Sequence, residues 1–130
     1  MAKVPMISII DDDDAVREAT KGLVRSLGYR VSTFSSAEEF LQSDRVNDTS
    51  CLITDLHMPG LSGIELQNRL IADGHSMPII FITAFPDDGV RTRAMKAGAI
   101  CFMSKPFSDD HLIGCLDRAL KAFAPGAVGH

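Results

Sequence analysis

The feature that most constrains this chain is its rhythm, in which short, near-continuous apolar runs alternate with longer amphipathic ones. Met6-Ile-Ser-Ile-Ile10 reads as a strand, and after the acidic run Asp11 to Asp14 the residues Val16, Thr20, Leu23 and Leu27 recur at helical spacing until Gly28, a helix stop. Tyr29 to Phe34 reads as a second strand. Ser36 with Glu39 three residues on is a capping-box signal for a helix through Phe40 and Leu41. Ser50 to Thr54 is a third strand, and Ser62 with Glu65 opens a helix from Gly63 to about Ala72. Ile79 to Thr83 leads to a helix over Asp87 to Ala97; Ile100 to Ser104 leads to a last one that Ser108 can cap, carrying Leu112, Leu116, Ala119 and Phe123. Strands that are apolar throughout need cover on both faces. The expected fold is therefore α/β, a doubly wound five-stranded parallel sheet with five helices.

At 130 residues and 45% hydrophobic composition, one domain with a full core is expected over residues 1–123. Residues 124–130 are small and read as a flexible tail or the start of a linker. The net charge is −4 and no run of Lys and Arg forms a stripe, which argues against direct nucleic-acid binding by this segment. Cys51, Cys101 and Cys115 lie inside apolar runs without metal spacing and read as buried free thiols of a reducing compartment. No stretch approaches the ~18 apolar residues of a membrane span, so a cytoplasmic protein is expected. His75, His111 and His130 have no partner spacing and read as surface residues.

In parallel sheets of this kind ligands bind outside the carboxyl ends of the strands. The residues there are Asp11 to Asp14, Asp55, Thr83 with Ala84, and Lys105 with Pro106. Each has a plain structural reading alone: an Asp run before a helix is equally an N-cap with dipole-favoured charge, and a lone Asp, Thr or Lys at a strand end is a turn residue. Their convergence at four strand ends is what points to a site.

Ile-Ile-Asp-Asp-Asp at 9–13, Thr-Asp-Leu-His-Met-Pro-Gly-Leu-Ser-Gly at 54–63, Ile-Thr-Ala at 82–84, Met-Lys-Ala-Gly-Ala at 95–99 and Lys-Pro-Phe at 105–107 resemble the receiver domain of bacterial two-component response regulators. The likeness covers residues 4–123 in order and is greatest to the FixJ type. It implies a flavodoxin-like fold and a phosphoryl group accepted from a sensor histidine kinase. By position it assigns Asp55 as phosphoacceptor, Asp11 and Asp12 as the metal-binding acidic pair, Lys105 as the family lysine, Thr83 as the switch hydroxyl and Phe102 as the switch aromatic. It implies Mg²⁺, or Mn²⁺ in its place, bound by Asp11, Asp12, Asp55 and the backbone carbonyl of His57. It places the side chains of His57 and Phe85 at positions that tune the lifetime of the acyl phosphate, with His57 equally readable as an exposed loop histidine, and it leaves Asp13 and Asp14 to cap the first helix and charge its first turn. The implied output is a changed face of the fourth helix, fifth strand and fifth helix, controlling a homodimer or a C-terminal DNA-binding domain outside this chain.

The residue types suit that chemistry. A carboxylate is repelled by phosphoryl oxygens unless cations lie between them, and hard carboxylate oxygens suit Mg²⁺. Crowding Asp11, Asp12 and Asp55 should raise at least one carboxyl pKa. The fourth helix, with Gly89, Thr92 and a broken stripe of Val90, Ala94 and Met95, reads equally as a weak element suited to moving and as a merely short, poorly packed helix. The only turnover expected is self-phosphorylation from a phosphodonor and autodephosphorylation. Two rival readings are a haloacid dehalogenase-type phosphatase, from the D-x-D of Asp11 to Asp13, and a receiver-like interaction module that is never phosphorylated. Hydrolysis of small phosphomonoesters would mark the first and absence of acyl-phosphate labelling the second.

Overall fold

A computed structural model describes residues 4–123, and the expected tail at 124–130 lies outside the described residues. Five strands, β1 (Met6–Ile10), β2 (Arg30–Phe34), β3 (Cys51–Asp55), β4 (Ile79–Thr83) and β5 (Cys101–Ser104), alternate with five helices. The helices are α1 (Asp14–Ser26), α2 (Ala37–Gln42), α3 (Gly63–Ala72), α4 (Asp88–Lys96) and α5 (Asp109–Phe123). The sheet is parallel throughout, in the order β2-β1-β3-β4-β5.

Period-two alternation sends each strand's side chains into two cores. Ile7, Ile9, Cys51, Ile53, Ile80, Ile82, Cys101 and Met103 pack with Val24 of α1 and Leu112, Cys115, Leu116 and Ala119 of α5. Ile10, Leu52 and Phe81 face the other way and pack with Phe40 of α2, Leu66 and Leu70 of α3, and Ala94 of α4. Each face of the central strands therefore has its own helical cover. All three cysteines are buried and free. Burial first, and the neighbouring Cys101 second, push the Cys115 thiol up to about 12, which makes it inert.

The helix starts follow the capping chemistry. Asp13 caps α1, its Oδ1 accepting from the N–H groups of Ala15 at 2.9 Å and Val16 at 3.2 Å. Ser62 and Glu65 form the complete reciprocal box at α3. At α2 only half of the expected box is present: Ser36 accepts the Glu39 N–H, but the Glu39 carboxylate accepts from Ser35. The α1 stripe also differs from expectation, because the helix ends at Ser26 and leaves Leu27 as an exposed cap residue while Val24 enters the core. Met95 likewise points outward, so among the described residues α4 buries only Ala94. A short 3-10 turn at Val46–Asp48 had no sequence signal. Among the described residues no helix is long and apolar enough to cross a membrane.

Candidate functional site

Strand register assembles the site. Ile10 pairs with Thr54, which sets Asp11 beside Asp55; Asp55 pairs with Ile82, so Thr83 follows one step on; Thr83 pairs with Ser104, so Lys105 is next. All four lie in one row at the carboxyl edge. The row crosses the gap between β1 and β3, where the winding direction reverses and a crevice opens. Alternation then sorts the row by face. Asp55 and Lys105 continue the parity of Ile53 and Met103, on the α1/α5 side, whereas Thr83 continues the parity of Phe81, on the α4 side.

Asp11 is fully buried and Asp55 is 6% exposed. Lys105 answers both, its Nζ 3.0 Å from Asp55 Oδ2 and 3.1 Å from Asp11 Oδ2. Asp55 Oδ1 accepts the His57 N–H at 3.2 Å, and Asp11 Oδ1 accepts the Asp13 N–H at 2.9 Å. Asp11 Oδ2 lies within ion-pair reach of the lysine yet has no hydrogen bond among the described residues. A buried carboxylate oxygen answered by one ammonium alone keeps lone-pair capacity for a further cation.

The Asp11 carboxyl is pushed up, chiefly by burial; the Asp13 N–H and Lys105 oppose this and the Asp55 charge adds to it. The expected upward shift is present, but its leading cause is loss of water rather than crowding of like charges. Burial works to lower the Lys105 pKa, but its hydrogen bond to Asp55 and its close pairing with Asp11 outweigh this and the net shift is upward. The ammonium therefore stays charged.

Asp11, Asp12 and Asp55 each bring a carboxylate oxygen within 4.8 Å of the others. Three hard oxygens, one paired only with Lys105 and one on the exposed Asp12, fit a small divalent cation that keeps part of its water shell. Asp13 and Asp14 are turned to other tasks, the first capping α1 and the second pairing with Arg17. Arg17 is the residue that sequence reasoning missed here. Its Nη1 donates to the Asp11 backbone carbonyl at 2.7 Å, which pins the acidic loop to α1. An Arg four residues into a helix carries no signal of that role.

The remaining sites surround this cluster. Thr83 is fully buried, and its Oγ1 accepts the Phe85 N–H at 3.0 Å. Phe102 is half-buried, its ring 6.4 Å from that of Phe81. The His57 ring is exposed and meets Phe85 edge-on at 6.0 Å, with Phe85 itself 72% exposed.

Fold and site together define a small doubly wound α/β domain with a lysine-countered acidic pocket at its switch point. The chain belongs to the response regulator receiver domain family, matching it over residues 7–117. The response regulator protein TmoT of Ectopseudomonas mendocina is 47% identical over 116 residues, covering 89% of this chain and 53% of that relative. The transcriptional regulatory protein FixJ of Bradyrhizobium diazoefficiens is 38% identical over 121 residues, covering 93% and 59%. Among solved structures, the response regulator StyR superposes with a TM-score of 0.87 at 44% identity, over 94% of this chain and 62% of that one. The crystal structure of FixJ-N gives 0.81 at 35% identity, over 92% and 96%. The chain spans about half the length of the curated relatives it matches.

Proposed function

We propose that Asp55 is the phosphoacceptor of this receiver domain and that Asp11, Asp12, Asp55 and the backbone carbonyl of His57 hold Mg²⁺, with Mn²⁺ able to replace it. The observation that carries this reading is the buried, hydrogen-bond-deficient Asp11 Oδ2 beside Asp55 and Lys105. Bound Mg²⁺ supplies the positive charge that lets a carboxylate approach a phosphoryl group. An oxygen of Asp55 forms a bond to phosphorus while the P–N bond of the kinase phosphohistidine breaks; the bonding pair stays on the imidazole nitrogen, which takes a proton from water. Lys105, already at Asp55, balances charge that spreads over the phosphoryl oxygens. The Thr83 hydroxyl, which among the described residues only accepts, keeps its proton to donate to one of those oxygens. Water that arrives past His57 and Phe85 later attacks the phosphorus; the bond between phosphorus and the Asp55 oxygen breaks, the carboxylate is restored and inorganic phosphate leaves.

A groove of about 360 Å³ lined by Val16, Ala19, Leu23, Lys105 and Phe107 opens beside this row, between α1 and the segment after β5. It supports docking of the sensor kinase helix that bears the histidine. The names of relatives described as transcriptional regulatory proteins support a DNA-binding output carried outside this chain. The α4–β5–α5 face is the surface we assign to homodimerisation or to that output domain. Acetyl phosphate with Mg²⁺ should yield an alkali-labile acyl phosphate on the wild type and none on Asp55→Asn. Undiminished label on the variant would sink the assignment.

A further inference from the structure

The turn from β3 into α3 starts at His57, whose N–H is held by Asp55, and ends at Ser62, the cap of α3. Between them, among the described residues, one hydrogen bond ties the turn to a neighbouring element. Glu38, in the first turn of α2, accepts the Leu61 N–H through Oε2 at 2.9 Å. The approach is close. Gly60 adopts a φ of 78°, and a Cβ there would collide with the Glu38 carboxylate, so the turn is shaped to let that side chain in. The Leu61 N–H, followed by Glu38's own N–H, holds this carboxyl below the usual carboxylate range. Met58 and Leu61 also rest on the α2/α3 core. Apolar contact is non-directional, however, and does not orient a peptide group, whereas a hydrogen bond does.

We propose that Glu38 is a positioning residue for the acidic pocket: by holding Leu61 it fixes the turn that presents the His57 peptide to Asp11, Asp12 and Asp55. The inference rests on the reading of that pocket as a Mg²⁺ site. Outer residues that orient a ligand alter metal affinity without touching the metal.

Reach and charge separate cleanly here. Glu38→Asp keeps the charge and withdraws the carboxylate by one methylene, while Glu38→Gln keeps an acceptor oxygen at the same reach without the charge. Binding of Mg²⁺ alone to the full chain is measured by calorimetry for wild type, both variants and Asp12→Ala, with metal-free thermal unfolding in parallel. Glu38→Asp should raise the Mg²⁺ dissociation constant by about threefold to tenfold, the range of one hydrogen bond to a charged group in partial contact with water. Glu38→Gln should stay within about twofold of wild type, since its amide oxygen still accepts. The reverse order would assign the effect to charge and overturn the proposal. A loss of thermal stability in Glu38→Asp with unchanged affinity would also overturn it, leaving a purely structural contact. Should Asp12→Ala lose Mg²⁺ while both Glu38 variants match wild type, only the latch falls. A wild type that binds no Mg²⁺ removes the metal-site reading and the latch with it.

Discussion

Lys105→Met tests the electrostatics of the pocket most directly, because it removes the ammonium that lies between two buried carboxylates. Asp11 and Asp55 bring oxygens within 4.8 Å of each other, and at an effective dielectric near 20 two unit charges at that separation repel by roughly 3 kcal/mol. Protonation of Asp11 offers an escape. From its ordinary 3.8 up to pH 7, at about 1.4 kcal/mol per pH unit, that route limits the penalty to about 4 kcal/mol. We therefore expect the metal-free variant to lose ~2–4 kcal/mol, a fall in Tm of about 10 °C for a domain of this size. The sign with pH follows from Asp11. Its folded pKa lies above the unfolded value, so the stability linked to its proton is complete below 3.8 and is lost as pH rises through the folded value. Removing the lysine raises that folded value further. Thus the variant should recover stability as pH falls through that raised value and on towards 3.8, and Mg²⁺ should stabilise the variant more than the wild type. Thermal unfolding in EDTA and in Mg²⁺ across that range reads both effects. A variant as stable as wild type in EDTA, with the same pH dependence, would refute the reasoning.

Asp12→Ala should weaken Mg²⁺ binding by roughly tenfold or more in a metal titration, because it removes one of three hard oxygens, while Asp14→Ala leaves binding near wild type. The reverse order would move the site along the chain. Phe85→Ala should speed loss of label from Asp55, by less than about tenfold because the ring is 72% exposed and shields water only in part; decay at the wild-type rate would remove Phe85 from the gate. Thr83→Ala should still accept phosphate at Asp55 yet blunt the change in self-association seen by sedimentation with beryllofluoride. Association in the variant equal to that of wild type would break the proposed relay.

The strands were legible because they are apolar nearly throughout, and the clustering of Asp11, Asp12, Asp55 and Lys105 was legible because these residues sit at strand ends that those runs define. Helix phase was less so. Leu27 satisfies the α1 spacing as well as any core residue, and only the actual end of the helix at Ser26 moves it outside while Val24 turns in. Met95 fails for a similar reason: it adjoins Ala94 in sequence, and on a helix that supplies one buried position the neighbour must face water. The acidic run shows the limit most sharply. Spacing singled out four aspartates, but their separation into a buried Asp11, an exposed Asp12, a capping Asp13 and a paired Asp14 depends on where α1 begins and how it tilts. Arg17 and Glu38 were silent for a general reason, since charged residues in first turns are common for dipole and solubility alone. Their partners are backbone groups of distant or differently folded segments, which a sequence does not display.

Sheet parity also bears on how a phosphate on one face can be felt on the other. Asp55 and Lys105 belong to the α1/α5 side of the row, while Thr83 and Phe102 belong with the α2–α4 core. A charge placed on Asp55 cannot press on α4 through the sheet, which is packed solid at Ile82 and Phe81. The route round the edge is open. Thr83 Oγ1 now accepts the Phe85 N–H, so a hydroxyl that swings to a phosphoryl oxygen alters the partner of the first residues leading into α4. That helix has little to hold it in place: Ala94 is its buried residue, and the Gln67 side chain donates to the Ala94 carbonyl at 3.1 Å. An element with so few buried contacts can have a second arrangement close in free energy. On the proposed phosphorylation of Asp55, the phosphate would bias the choice only by the difference between its contacts in the two arrangements, and a Thr83 hydrogen bond made in one of them alone would be such a contact. Phe102, half-buried on the same side, can then follow into space that Thr83 leaves, and because it lacks a phenolic oxygen it can transmit that shift only by packing.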